Sequence, residues 1–190
     1  MIRIAIAGGI GSGKSLVTSI LRDIGAKVVV ADEINAQLLI DPDYIKLIEN
    51  TFPSVVHNNS IDRKALANIV YHDEEKRAIL MGLAHPKIFE KMLSMYPDEN
   101  ILFYEIPLLS HSRIVFDRIW FINSRLEIRI ARIMSRDNVD ESFAARVISL
   151  QREEDDFALT ADTVIDNNGD RSSLFECVKR EYYSILRQFS

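Results

Sequence analysis

The octapeptide Gly8-Gly9-Ile10-Gly11-Ser12-Gly13-Lys14-Ser15 constrains this chain more than any other stretch. It satisfies G-x-x-x-x-G-K-[ST] directly behind an apolar, β-branched run at residues 2–7. Glycines at 8, 9, 11 and 13 carry no Cβ, so the backbone can take positive φ and its N–H groups can converge on phosphate oxygens. Lys14 adds a point charge for β- and γ-phosphates, and Ser15 offers a hydroxyl to Mg²⁺. A helix opening near Lys14 aims its positive end at the same anion. A glycine-rich turn with no ligand is the bland reading. Four glycines, a lysine and a serine in register between a strand pattern and the amphipathic 16–21 segment favour a phosphate cradle instead. Its nucleotide-binding set is Gly9, Ile10, Gly11, Ser12, Gly13, Lys14, Ser15 and Leu16, with Ser15 as the metal ligand.

At 190 residues the chain can bury one sizeable core with a helical insert, and it is too short for two catalytic domains. With 47% hydrophobic and 27% charged residues, the composition is that of a soluble globular protein and nothing in it suggests disorder. The net charge of −5 argues against nucleic acid or an anionic membrane as the main partner, so any anion site must be built locally. The single Cys177 forms no internal disulfide, which fits a reducing cytoplasm, and reads as a small core residue on a helix. The 2–7 run is too short for a signal-peptide core or a membrane span. A cytoplasmic protein, monomeric or weakly homo-oligomeric, is expected.

Residues 16–24 read as a helix, with Gly25 at a left-handed C-terminal cap. Lys27-Val28-Val29-Val30-Ala31 is apolar without alternation, the pattern of a strand covered on both faces. Strand, loop, helix and strand imply a parallel sheet with right-handed crossovers. Asp32 then lies at a carboxyl end, on the rim where open α/β sheets bind ligands. A carboxylate there can take a proton from an acceptor hydroxyl, and an N-cap for a helix starting near Glu33 would justify an Asp equally. Residues 41–96 read as helical, with breaks at Phe52-Pro53 and His57-Asn58-Asn59-Ser60 and no β-rich run. Asp62 is placed to cap a helix carrying Arg63 and Leu66, and Asp73 to open another. Pro86 is expected to end or kink that helix, with His85 beside it as a structural hydrogen bonder or a group facing substrate. An insertion at 33–98 is the layout of a small-substrate kinase, where the insert holds the phosphate acceptor.

Residues 101–104 form a third strand pattern, and Glu105 at its end reads as a Walker-B-like acid or as a pairing group. Trp120-Phe121-Ile122 and Thr163-Val164-Ile165 supply the fourth and fifth, and Asn167-Asn168-Gly169 is a tight loop suited to a nucleotide base. A helix at 125–136 sets Arg129, Arg132 and Arg136 on one face. A solvated basic face is the default. With Asp137, Asp140 and Glu141 grouped behind them, the arginines are left to clamp phosphates if 125–160 forms a lid. A second helix is expected from 141 to about 155, carrying Gln151 and Arg152, and a closing helix from 172 to 189.

Taken in order, these landmarks resemble one family along nearly the whole chain, the dephospho-coenzyme A kinases. The matching residues are the 8–15 loop, Ala31-Asp32, Asp62-Arg63 with Leu66, His85-Pro86, Pro107-Leu108-Leu109, Arg132, Arg136-Asp137, Gln151, Ala161-Asp162 and Ile165-Asp166-Asn167-Asn168-Gly169. The resemblance implies an α/β, three-layer P-loop fold with a five-stranded parallel sheet, a helical substrate-binding insertion and a helical lid. It implies ATP and Mg²⁺ as cofactors, and phosphorylation of the ribose 3′-hydroxyl of dephospho-CoA. On it, Asp32 is the catalytic base, Lys14, Arg132 and Arg136 meet phosphates, Arg63, His85, Pro107 and Leu108 serve the acceptor, and Asn168 and Gly169 lie on the adenine side. Four positions depart from the family pattern, of which Leu16 in place of the usual Thr is expected to have little effect, since the metal ligand is Ser15. Val30 replaces an acid, Ser110-His111 stand where a Glu usually follows Pro-Leu-Leu, and Asp155-Asp156-Phe157 stand where a cation is usual. Carboxylates at 155 and 156 would repel phosphates unless they face solvent. Two rivals share the loop: a kinase of a nucleoside or nucleoside monophosphate, and a nucleotide-binding homologue weakened in catalysis.

Overall fold

The structure is a computed structural model describing residues 1–189. The first apolar run is β1 (Ile2–Ala7), and the glycine loop leads from it into α1 (Lys14–Asp23). At the end of α1, Gly25 N–H donates to the Arg22 carbonyl (3.0 Å) and Ala26 N–H to that of Leu21 (2.9 Å), the paired bonds of a left-handed glycine cap. The chain continues through β2 (Val28–Val30), α2 (Ala31–Leu38), α3 (Pro42–Thr51), β3 (Val56–His57), β4 (Ser60–Ile61), α4 (Arg63–His72) and α5 (Glu74–Ser94). After it come β5 (Ile101–Glu105), β6 (Arg118–Asn123), α6 (Leu126–Asp137), α7 (Glu141–Leu150), β7 (Thr163–Asp166) and α8 (Arg171–Phe189).

The expected five-stranded parallel sheet is present, in the order β2-β5-β1-β6-β7, within a three-layer α/β fold. Central β1 pairs with β5 on one side and β6 on the other, so the crossover from β5 to β6 passes β1. Ligands of open α/β sheets gather where strand order reverses in this way, and the glycine loop leaves β1 at that point. Phe103, Tyr104 and Trp120 are fully buried in the sheet. Phe103 meets Trp120 edge-on at 4.9 Å and Tyr182 of α8 at 6.0 Å. No helix among the described residues is long and apolar enough to cross a membrane.

The chain divides into two compact units, Val30–Met95 and the remainder on either side of it in sequence. Val30–Met95 has its own core of Tyr44, Ile45, Ile48, Phe52, Val55, Val56, Ile61 and Leu66. Asp62 caps α4 and Asp73 caps α5 through their carboxylates, as the spacing predicts.

Four local expectations are corrected. The polar 57–60 segment is the turn of a hairpin, β3 with β4, because Asn58 (φ 51°) and Asn59 (φ 57°) take the left-handed turn positions that asparagine tolerates. Of the two effects expected of Pro86, ending the helix is the one overturned, since α5 continues through it. The proline deprives the Gly82 carbonyl of its helical donor, but α5 packs along α2 and α4, and that packing outweighs the local penalty. Asp32 is not an N-cap. Val30 occupies that position, and Asp32 lies exposed in the first turn of α2. The second helix of the 125–160 region stops at Leu150, and residues Arg152–Leu159 wind as 3-10 turns. Glu154 and Asp155 are held there by partners outside the segment, which fixes a path that a regular helix could not follow.

Asp73, Asp140 and Asp170 accept the backbone N–H groups of Lys76, Phe143 and Ser173, and these bonds hold each carboxyl below its ordinary range. A depressed folded-state pKa gives stability that is complete above the unfolded value of about 3.9 and is lost as pH falls through the folded value. The Tm is therefore expected to hold steady down to about pH 5 as far as these caps contribute, and to drop in stronger acid. Replacing all three by Asn, which caps without titrating, is expected to make the acid fall of Tm shallower. An unchanged acid limb would exclude the caps as its source.

Candidate active site

The loop at 8–13 is organised by what its carbonyl groups bond. Gly8 carbonyl accepts from Lys14 Nζ (2.5 Å), Gly9 from Ser12 N–H (3.2 Å) and Ile10 from Arg129 Nε (2.8 Å). Gly11 carbonyl accepts from Arg132 Nη1 (3.2 Å). The Ser12 carbonyl accepts from Arg132 Nη1 (3.0 Å) and Asn167 Nδ2 (2.7 Å). Gly13 carbonyl begins the α1 ladder. The N–H groups of Gly11, Gly13 and Ser15 donate to no protein acceptor among the described residues. A run of backbone with its acceptors satisfied and these three donors unused, at a helix N-terminus, is an anion site.

Glycine at position 11 serves packing as well as phosphate. A Cβ there would sit 2.8 Å from the Arg129 carbonyl of α6, and the residue has φ +79°. Ile10 packs its side chain into a cluster with Ile133, Ala144 and Ile148, so α6 and α7 grip the loop through both its backbone and its apolar residue.

Beneath the loop, Ser15 Oγ donates to Glu105 Oε1 (2.9 Å) and Thr18 Oγ1 to Glu105 Oε2 (2.6 Å). Glu105 is buried at the end of β5, and both readings of it meet here: it is paired, and it stands beside the loop serine. A hydroxyl and a carboxylate are hard oxygen donors. They fit Mg²⁺, which usually binds one or two such groups and completes its shell with water and phosphate oxygens.

Arg132 bridges α6 to the loop and also donates to Ser124 Oγ (3.1 Å) and to the Asn167 carbonyl (3.0 Å). Arg136 is exposed and chelates its neighbour Asp137 at 2.7 and 2.8 Å, a hydrogen bond that holds the Asp137 carboxyl below its usual range. Arg129 is not left over for phosphate. It is buried and doubly bonded to Asp155 at 2.9 and 3.0 Å, so the half-buried carboxylate at 155 is neutralised by a guanidinium. Asn168 Oδ1 accepts from Arg125 N–H (2.7 Å), tying the β7–α8 turn to the start of α6, and Gly169 follows it exposed. Pro107 and Leu108 lie in the turn after β5. In the Val30–Met95 unit, Arg63 opens α4, and His85 on α5 stacks obliquely on Phe89 at 5.8 Å.

The departure at Ser110-His111 has a structural answer. Glu154, almost fully buried, accepts from Leu109 N–H (2.8 Å), Ser110 N–H (3.1 Å) and Ser110 Oγ (2.6 Å). The carboxylate absent after Leu109 thus reaches the same segment from the 3-10 turn. Sequence reasoning missed Thr18, Ser124 and Glu154 as parts of the site, and placed Asn167 in a base-side loop without its bond to the Ser12 carbonyl. The Asn-Asn-Gly run was the signal for Asn167, whereas nothing local marks the others.

The model of the dephospho-CoA kinase family matches residues 2–173. A dephospho-CoA kinase of Fusobacterium nucleatum is 34% identical over 183 residues, spanning 93% of this chain and 95% of that protein. A crystal structure from Thermus thermophilus superposes with a TM-score of 0.82 at 27% identity, covering 100% of this chain and 98% of that one. The dephospho-CoA kinase of Campylobacter jejuni gives 0.69 at 25% identity over 96% of each chain. A phosphate loop built in this way, at this place in a five-stranded sheet, therefore sits in a chain that belongs to the dephospho-CoA kinase family.

Proposed function

We propose that the protein transfers the γ-phosphoryl group of ATP to the ribose 3′-hydroxyl of dephospho-CoA, the last step of coenzyme A synthesis. The observation that carries this reading is the loop at 8–13, its carbonyls bonded and its N–H groups at Gly11, Gly13 and Ser15 left open, in a member of this family. Phosphoryl transfer asks a protein chiefly for positioning and charge neutralisation. The loop from Gly9 to Leu16 holds the β- and γ-phosphates through its open N–H groups at Gly11, Gly13 and Ser15, and Lys14 moves from the Gly8 carbonyl onto them. Arg132 keeps the loop in shape with its charge close behind it, and Arg136 exchanges Asp137 for phosphate as residues 125–160 close as a lid.

Asp32 takes the proton of the 3′-hydroxyl while its oxygen bonds to the γ-phosphorus and the bond to the β–γ bridging oxygen breaks, releasing ADP. Arg63, His85, Pro107 and Leu108 bind the acceptor, and Asn168 with Gly169 flank the adenine. Ser15 would hold Mg²⁺ directly and Glu105 through water, and the ion when bound neutralises charge shared by β- and γ-oxygens. The enzyme works in the cytoplasm, as a monomer or weak homo-oligomer.

Purified protein given Mg·ATP and dephospho-CoA is expected to form CoA and ADP, and to release no ADP with nucleosides or nucleoside monophosphates. The absence of CoA would overturn the assignment. Asp32→Asn is expected to keep ATP binding and lower turnover by about 10²- to 10⁴-fold, the usual scale for a general base. Full turnover in that variant would remove Asp32 from the role. Lys14→Ala should lose most ATP binding or turnover, read by calorimetry and the same assay, and wild-type behaviour would refute the phosphate assignment.

A further inference from the structure

One charge pair in the loop's wall, a buried arginine bonded to a half-buried aspartate, has no part in the roles above. Arg129 is 7% exposed, and its guanidinium has two partners. Nε holds the Ile10 carbonyl, Nη1 holds both oxygens of Asp155, and Nη2 is buried with no hydrogen-bond partner among the described residues. The pair lies flat on Gly9. A Cβ there would overlap Nη2 and stand 2.5 Å from Asp155 Oδ1. A full cation and a full anion therefore lie together against the limb of the loop whose N–H face binds phosphate.

The two members of the pair act on a bound polyphosphate with opposite sign. Arg129 attracts it and, through Ile10, keeps the loop peptide turned so that its carbonyl points away. Asp155 repels it and cancels most of Arg129's field. Both charges are shielded from bulk water on one side, so each is felt more strongly than a surface charge would be. A pair kept only for packing behaves differently, because losing either member would then loosen the loop and weaken binding.

We propose that Arg129 is a positioning residue for the phosphate loop and that Asp155 is a built-in attenuator, the two together setting the affinity for nucleoside di- and triphosphates. This rests on the phosphate-binding part of the function proposed above, and its test reads binding rather than CoA formation.

The experiment titrates ATP, ADP and AMP by calorimetry into the wild type, Asp155→Asn, Arg129→Met and the double variant, at low and at high salt. Asn at 155 still accepts one bond from Nη1 but carries no charge. Asp155→Asn is expected to tighten ATP and ADP by roughly 3- to 10-fold at low salt, with the gain shrinking as salt rises and AMP little changed. Arg129→Met is expected to weaken ATP and ADP by about 10- to 100-fold, and adding Asp155→Asn to it should recover several-fold, since the unpaired carboxylate is then gone. Weaker ATP binding in Asp155→Asn, or equal shifts for AMP and ADP, would overturn the inference. If Arg129→Met does not fold, the sign of the Asp155→Asn effect decides alone. A wild type that binds neither ATP nor ADP would instead sink the phosphate-site reading itself.

Discussion

Five consecutive carbonyl groups, Gly8 to Ser12, each have a hydrogen-bond donor, and the rest of the site depends on that. Turning any one of these peptides to aim its oxygen at a phosphate would break a bond and leave a poorly hydrated donor unpaired, at about 1–3 kcal/mol for each group. The N–H face is held ready before a nucleotide arrives, so little reorganisation is needed on binding. The donors come from Lys14 of α1, Ser12 of the loop, Arg129 and Arg132 of α6, and Asn167 after β7. The sheet order makes this possible, because β6 and β7 lie in sequence beside β1 and deliver α6 and the 167 turn to the loop's flank.

An acidic chain with a net charge of −5 has to build an anion site from local cations, and here two of the arginines already have carboxylate partners. Arg129 is matched by Asp155 and Arg136 by Asp137. The acids that first read as obstacles to phosphate binding are thereby part of how the arginines are stored and oriented. Glu105 and Glu154 do related work without a cation. Each is buried and satisfied by hydroxyl or backbone donors, Glu105 under the loop and Glu154 at the turn that follows β5. A buried carboxylate is tolerated only with such partners, so each one fixes the segment it bonds.

Much of the architecture was legible because it follows from local rules. Non-alternating β-branched runs marked the buried strands, Asp62 and Asp73 marked helix starts, and the loop glycines marked the cradle. Where the reading failed, tertiary contact overrode a local preference. α5 runs through Pro86 because its sides are packed, and the chain after Leu150 abandons the α-helix because Glu154 and Asp155 bond elsewhere. The 57–60 turn was seen as a loop but not as a hairpin, since strands of two residues are too short to show a period.

By itself, the sequence determined that this chain has a phosphate loop between a strand and a helix, a parallel sheet behind it, and the ordered landmarks of the dephospho-CoA kinase family. Those features depend on residues a few positions apart, whose geometry the backbone transmits directly. Only the tertiary structure decided which of three arginines on one helix face holds the loop, which is paired with an acid in its wall, and which stays exposed. The partners that make those distinctions are 119 residues apart for Ile10 and Arg129 and 155 for Ser12 and Asn167. A pattern of residue types carries no distance over such a span, and the folded sheet supplies it.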